Sequence, residues 1–230
     1  MRSRILSLTA TTLTLVLLST SAFGQQPASP PPAGQVQITA KDMCCKGCAQ
    51  KVAGQLYTIK GVKSVGVDLP TRTVTVSLGQ QDPATLGALW HAAQRANGGP
   101  TQIATETASY TLVLPKTSEE AEQIRKLGTT QQVVVGKLDS QQTAQQIASR
   151  LYELKGVAKV RVDLQHSALV LETKPNTPVS AWLVIDAVAK AGHQVSAVSG
   201  NFGTLSIEYA GDPAHEYNQA SQPRNGAVQR

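Results

Sequence analysis

The chain's three cysteines, Cys44, Cys45 and Cys48, all stand in one short run, Met43-Cys44-Cys45-Lys46-Gly47-Cys48. Cys45 and Cys48 are spaced i and i+3. On a loop running into a helix, that spacing lets two thiols converge on one ion. Thiolates are soft ligands, so the chemistry this pair supports is capture of Cu(I), Zn(II) or a heavier soft ion. The same spacing permits thiol–disulfide exchange. A third reading is that the pair closes into an inert disulfide, or handles no metal, and the protein acts as a structural or interaction module. Three is an odd number, so one thiol always stays unpaired within the chain. No Ser-His-Asp set, phosphate loop or paired-carboxylate arrangement is evident, and no enzyme activity is expected.

The elements that must position the thiols are legible on both sides. Val36, Ile38 and Ala40 alternate with polar residues, which predicts a strand leading in. Cys48, Val52, Leu56 and Ile59 recur on one helical face, and Gly61 ends that helix. Strands are expected over 62–69 and 73–78. A second helix follows, with Pro83 in its first turn and Leu86, Leu89, Trp90 and Ala93 on its apolar face. Residues 101–114 read as extended, in one piece or two. The order is β-α-β-β-α-β, a split βαβ of the ferredoxin-like kind. A short connecting helix over 116–127, capped by Ser118 and ended by Gly128, comes next.

The pattern then recurs 95 residues on without a gap. Leu56-Tyr57-Thr58-Ile59-Lys60-Gly61-Val62 matches Leu151-Tyr152-Glu153-Leu154-Lys155-Gly156-Val157, and Val65, Val67, Asp68 and Leu69 match Val160, Val162, Asp163 and Leu164. Such self-similarity marks a duplication. The expected fold class is α+β: two tandem ferredoxin-like βαββαβ domains, each an open-faced antiparallel sheet with two helices, with room for a fifth strand in each. Each half is long enough for a modest core of its own.

Aromatic residues make up 4% of the chain, so those cores must be built from aliphatic side chains. The formal net charge is +6. Its Lys and Arg residues are scattered without interleaved aromatics, which excludes a nucleic-acid site. Residues 1–24 read as an export signal: Arg2 and Arg4 ahead of an apolar run, then Ala22-Phe23-Gly24 before a cleavage point at Gln25. Export places the mature protein in the periplasm or outside the cell, where thiols tend to oxidise. The expected domains are a Pro-rich linker over 25–34, a metal-binding domain over 35–114, a connecting segment over 115–130, a second copy over 131–210 and a polar, disordered tail over 211–230. No segment after the signal is long and apolar enough to span a membrane.

Met43, Cys45 and Cys48, the helix that follows, the turn Lys60-Gly61-Val62 and the strand Val65-Gly66-Val67-Asp68 together resemble the heavy-metal-associated domain family over about 36–103. Within it the chain is similar to exported mercury-binding members and to copper chaperone-like domains. The resemblance implies that two cysteines hold Cu(I), or Hg(II), on an exposed loop and pass it on by ligand exchange. Zn(II) and Cd(II) are further candidates. The partners implied are the metal ion and a metal-transporting membrane protein or another metal-binding domain, and a metal-bridged dimer would follow if two loops shared one ion. Met43 is expected to pack beneath the loop as a core residue. Cys48, near the helix N-terminus and Lys46, is expected to favour the thiolate, and Gly47 to let the loop fold tightly.

Two departures stand out against that family. Cys44 fills a variable position and is a candidate third ligand, although neighbouring side chains on an extended loop tend to diverge. After the second helix this chain has Ala96-Asn97-Gly98-Gly99, where relatives often place Lys or Tyr. Thioredoxin-like proteins usually set an aromatic before the Cys-x-x-Cys and a Pro-rich loop opposite, and neither is present. In the second copy Leu138, Asp139, Ser140 and Thr143 replace Met43, Cys44, Cys45 and Cys48. That copy reads as a packing or partner-recognition domain. His193 faces its vacant loop near Asp139 and is expected to be a solvated loop histidine, and His91, His166 and His215 read as surface residues.

Overall fold

The alternation around Ile38 becomes strand β1 (Gln35–Ala40), with Val36, Ile38 and Ala40 fully buried. The structure, a computed structural model, describes residues 30–211. The expected signal 1–24, part of the linker, His215 and residues 212–230 of the tail lie outside the described residues. From β1 the chain runs through α1 (Lys46–Tyr57), β2 (Val62–Asp68), β3 (Thr73–Leu78), α2 (Pro83–Arg95), β4 (Pro100–Ala104) and β5 (Ala108–Val113). The extended stretch 101–114 is therefore two strands. Thr105 makes the corner, its hydroxyl donating to the Ala108 carbonyl and accepting from the Ala108 N–H. Helix α3 (Ser118–Leu127) is capped by Thr117 and not by Ser118, because Thr117 and Glu120 form a reciprocal capping box.

The order then repeats as β6 (Thr130–Val135), α4 (Gln141–Tyr152), β7 (Val157–Asp163), β8 (Ala168–Thr173), α5 (Ala181–Lys190), β9 (Val195–Gly200) and β10 (Gly203–Tyr209). Within each repeat the strands take the ferredoxin-like arrangement with an added fifth strand. These fifth strands pair with each other. All ten strands thus form one antiparallel sheet in the order β2-β3-β1-β4-β5-β10-β9-β6-β8-β7. In the joining ladder Thr111 lies opposite Ser206, its own counterpart in the other repeat. Tyr110 lies opposite Ile207, and Leu112 opposite Leu205. The register is symmetric, so an internal two-fold axis passes through the middle of the sheet and normal to it. Five antiparallel steps separate β1 from β6. The loops that follow these two strands therefore sit at opposite ends of the sheet.

The same axis governs the helices. Gly87 of α2 and Trp182 of α5 are counterparts, and they meet: a Cβ on Gly87 would lie 2.5 Å from Trp182 Cβ. Two equal side chains at a symmetric crossing would compete for one space, and a glycine against a tryptophan resolves the conflict. Trp182 then reaches Trp90 at 5.7 Å and Tyr110 at 5.0 Å between ring centroids, both tilted, a favoured aromatic geometry. His91 Nε2 reaches Ser180 Oγ at 3.2 Å, so His91 links the repeats and is not a free surface residue. One hydrophobic cluster runs through both halves, merging the two cores read from the sequence.

The outer strands are blunted in the same way in both repeats. Each carries a register shift, at Val62/Ser64 and at Val157/Lys159. In each a tyrosine hydroxyl accepts an edge N–H: Tyr57 from Val65 at 3.1 Å, and Tyr152 from Val160 at 3.0 Å. Bulges, satisfied donors and nearby charges keep such edges from pairing with other chains.

Two glycines in helices test the packing argument against helix propensity. Gly54 in α1 has open space where a Cβ would go, so Gly54→Ala should stabilise by about 0.5–1 kcal/mol. Gly87→Ala gains the same propensity but collides with Trp182, and should destabilise by about 1–3 kcal/mol. Urea unfolding of the two variants beside the parent checks the opposite signs.

Candidate metal centre

The cysteine loop is held where β1 runs out. Lys41 and Asp42 donate their N–H groups to the carbonyls of Gly99 and Gly98, each at 3.0 Å. Arg72 Nη1 donates to the Lys41 carbonyl at 2.9 Å from the neighbouring hairpin. The chain then folds back on itself. Met43 N–H donates to the Ala40 carbonyl at 3.1 Å, and Cys44 N–H donates to the Asp42 carbonyl at 3.0 Å, a three-residue turn centred on Met43. Met43 has no exposed surface and lies in the core beneath this turn.

Cys45 comes next, extended (φ −147°, ψ 162°), as the N-cap of α1. Its Sγ accepts the Cys48 N–H at 3.2 Å, occupying the place usually filled by a Ser or Asp oxygen. Cys48 lies in the first turn, half-buried against the core, while Cys44 and Cys45 are exposed. The three Sγ atoms lie within 4.8 Å of one another. Cys44 does not diverge from its neighbour, because it follows a tight turn and not an extended loop. Among the described residues this is the one group of three or more His, Cys, Asp or Glu side chains whose ligand atoms converge.

The electrostatics sort the thiols. Hydrogen bonds from Cys48, first its thiol and then its backbone N–H, hold the Cys45 thiol below the ordinary cysteine value. Donating that bond, together with desolvation, pushes Cys48 up. The thiolate favoured by position is therefore Cys45, the cap itself, and not Cys48 as expected from its place in the helix. A soft cation binding here displaces protons from the thiols it takes up, most readily from Cys45.

The glycines that matter also differ from expectation. Gly47 has open space for a side chain and no left-handed backbone, so the loop's fold does not depend on it. Gly98 and Gly99 are the ones required. A Cβ on Gly98 would come 2.9 Å from Val52 Cγ2, and Gly99 has φ +57° with the Asp42 carboxylate pressed against it. Gly98 leaves room for Val52 of α1, and Gly99 for Lys41 and Asp42, where the cysteine loop begins. In the sequence the pair stands out as a departure after the second helix, and this contact is not legible there.

The second copy keeps the local architecture with oxygen in place of sulfur. Ser140 caps α4 and accepts the Thr143 N–H at 3.1 Å, with the two hydroxyls 2.9 Å apart. Leu138 is buried as Met43 is. The turn bonds at Met43 and Cys44 have no counterpart there among the described residues. His193 is half-exposed and belongs to no converging ligand group, and His166 bonds Asp163 at 2.8 Å.

A thiol loop exposed at a helix N-terminus, on a ferredoxin-like unit, defines a heavy-metal-binding module. Residues 37–89 match the family model of the heavy-metal-associated domain, and the first repeat carries that domain. Among solved structures, the chain is similar to apo-CopP from Helicobacter pylori: 21% identity, 29% of this chain and 97% of that one covered, TM-score 0.26. It is also similar to the N-terminal soluble domains of Bacillus subtilis CopA: 19% identity, 70% and 91% covered, TM-score 0.28. No curated protein matches.

Two outcomes follow from this geometry. Alkylation of the reduced apo protein, followed residue by residue with mass spectrometry, should show Cys45 reacting with a midpoint below the ordinary thiol range and Cys48 with one above it, because only the thiolate reacts. Met43→Ala should cost about 2–5 kcal/mol in urea unfolding.

Proposed function

We propose that this protein is an exported carrier of a soft metal ion, Cu(I) foremost, held by the Cys45 and Cys48 thiolates for transport, delivery or sequestration. The observation that carries this reading is the convergence of the thiols on an exposed loop, with Cys45 set as the cap of α1. Exposure suits ligand exchange: a partner's thiols can reach the ion without the fold opening. A metal-transporting membrane protein or another metal-binding domain is the partner such exchange requires. The charged, apolar and small-residue pattern of 1–24 supports export. Zn(II), Cd(II) and Hg(II) suit the same donors. Binding and transfer need no bond-making catalyst, and we assign no enzyme activity.

The second repeat fits this role as a support. It covers the β5 edge and packs Trp182 onto α2. Its own loop faces the far end of the sheet, so the thiols stay open to a partner.

Competition of the reduced protein against Cu(I) chelators tests the reading. One ion per chain is expected. If a thiolate carries about a quarter of the binding energy of a typical four-ligand site, about 3 kcal/mol, then Cys45→Ser should weaken binding by about a hundredfold. Binding of no soft ion, or binding that survives loss of both Cys45 and Cys48, would refute the proposal.

A further inference from the structure

We infer that Cys44 is a third ligand, and that the loop is a three-thiolate site whose cargo is a soft ion accepting three sulfurs. This inference rests on the metal-carrier reading above and narrows its class of ion.

The distances bear on the coordination number. With metal–sulfur bonds of about 2.3 Å, two sulfurs on opposite sides of an ion are about 4.6 Å apart, and three in a plane around it about 4.0 Å apart. A pair within 4.8 Å fits either arrangement. A third sulfur within 4.8 Å of both others fits the trigonal one, because all three can close on one point by small side-chain rotations. Nothing in the chain's connectivity forces this. Cys44 reaches the pair only because the turn at Met43 brings the backbone round.

The second repeat acts as an internal control on that turn. Its helix α4, its cap and its buried Leu138 match the first repeat's, yet the two turn bonds are absent among the described residues, and Asp139 stands in place of Cys44. The fold therefore stands without the turn. The turn occurs in the copy that has a thiol to aim, and all three thiol positions have changed together in the copy that does not.

The arrangement gives the ligands unequal mobility. Cys45 is fixed by capping α1, and Cys48 by its place in the helix. Cys44 lies on the turn, exposed, and is the arm an incoming thiol displaces first. A three-sulfur site also accepts trivalent arsenic. Arsenous acid condenses with three thiols, forming three As–S bonds and releasing three waters, with no electron transferred. A two-thiol loop cannot complete that reaction.

The test uses the reduced protein with Cd(II) and with arsenite as probes, beside Cys44→Ser and Cys44→Ala. Cys44 is exposed, so both variants should fold, which circular dichroism checks. The expected result is loss of about a third of the Cd–thiolate charge-transfer absorbance in both variants, as one of three sulfur ligands is removed. Arsenite should protect all three parent thiols from alkylation at one equivalent, and the variants should need at least about tenfold more. Unchanged absorbance and arsenite protection in the variants would overturn the inference and leave a two-thiolate carrier standing. No charge-transfer band in the parent with Cd(II), together with no Cu(I) binding, would overturn the carrier reading as well.

Discussion

Burial of Met43 is the contact on which the cysteine loop depends. Its side chain has no exposed surface, and removing a methionine of that size from water stabilises by about 1.5–3 kcal/mol. As β1 ends the chain turns sharply over Met43, and the turn's two hydrogen bonds are local. Everything beyond Met43 inherits the direction it sets: Cys44 comes round, Cys45 enters α1 as its cap, and Cys48 falls on the helix's inner side. The soft donors are thus placed by the turn and the helix cap, seated on an apolar contact beneath them. The opposing wall is equally specific, because Gly99 leaves the volume into which Lys41 and Asp42 settle, and Gly98 the volume for Val52 of α1.

Duplication gave this unit a partner it can never leave. The symmetric β5–β10 register and the meeting of Gly87 with Trp182 are the features of a two-fold dimer written into one chain. Burying α2 and the β5 edge raises the core available to a small domain, which would otherwise be marginal on its own. The two loops point to opposite ends, so this gain leaves the thiols uncovered. With sulfur replaced by the hydroxyls of Ser140 and Thr143, the second copy shows that helix capping and metal binding are separable demands on the same positions.

Much of this was legible in the residues. The 3.6-residue and two-residue periods of apolar positions, the Gly61 and Gly156 stops and the ungapped offset mark the elements of both repeats, and Cys-x-x-Cys marks the site. What the sequence could not show were contacts between distant segments. That the fifth strands pair, that Gly87 is small because Trp182 is large, and that the Gly98 and Gly99 carbonyls hold the start of the loop all depend on tertiary approach. Cys44 illustrates the same limit at short range. An extended loop would have turned it away, and the turn at Met43 brings it back. Likewise the lowered thiol is the cap Cys45, because the hydrogen bonds from Cys48 act on it directly.

X-ray absorption of the metal-loaded protein tests most directly the claim that the loop's thiols together hold one soft ion. The account predicts, for Cu(I), a shell of sulfur alone, three atoms at about 2.3 Å. A shell containing nitrogen or oxygen donors, or a metal shell unchanged when Cys45 and Cys48 are both replaced by serine, would contradict it.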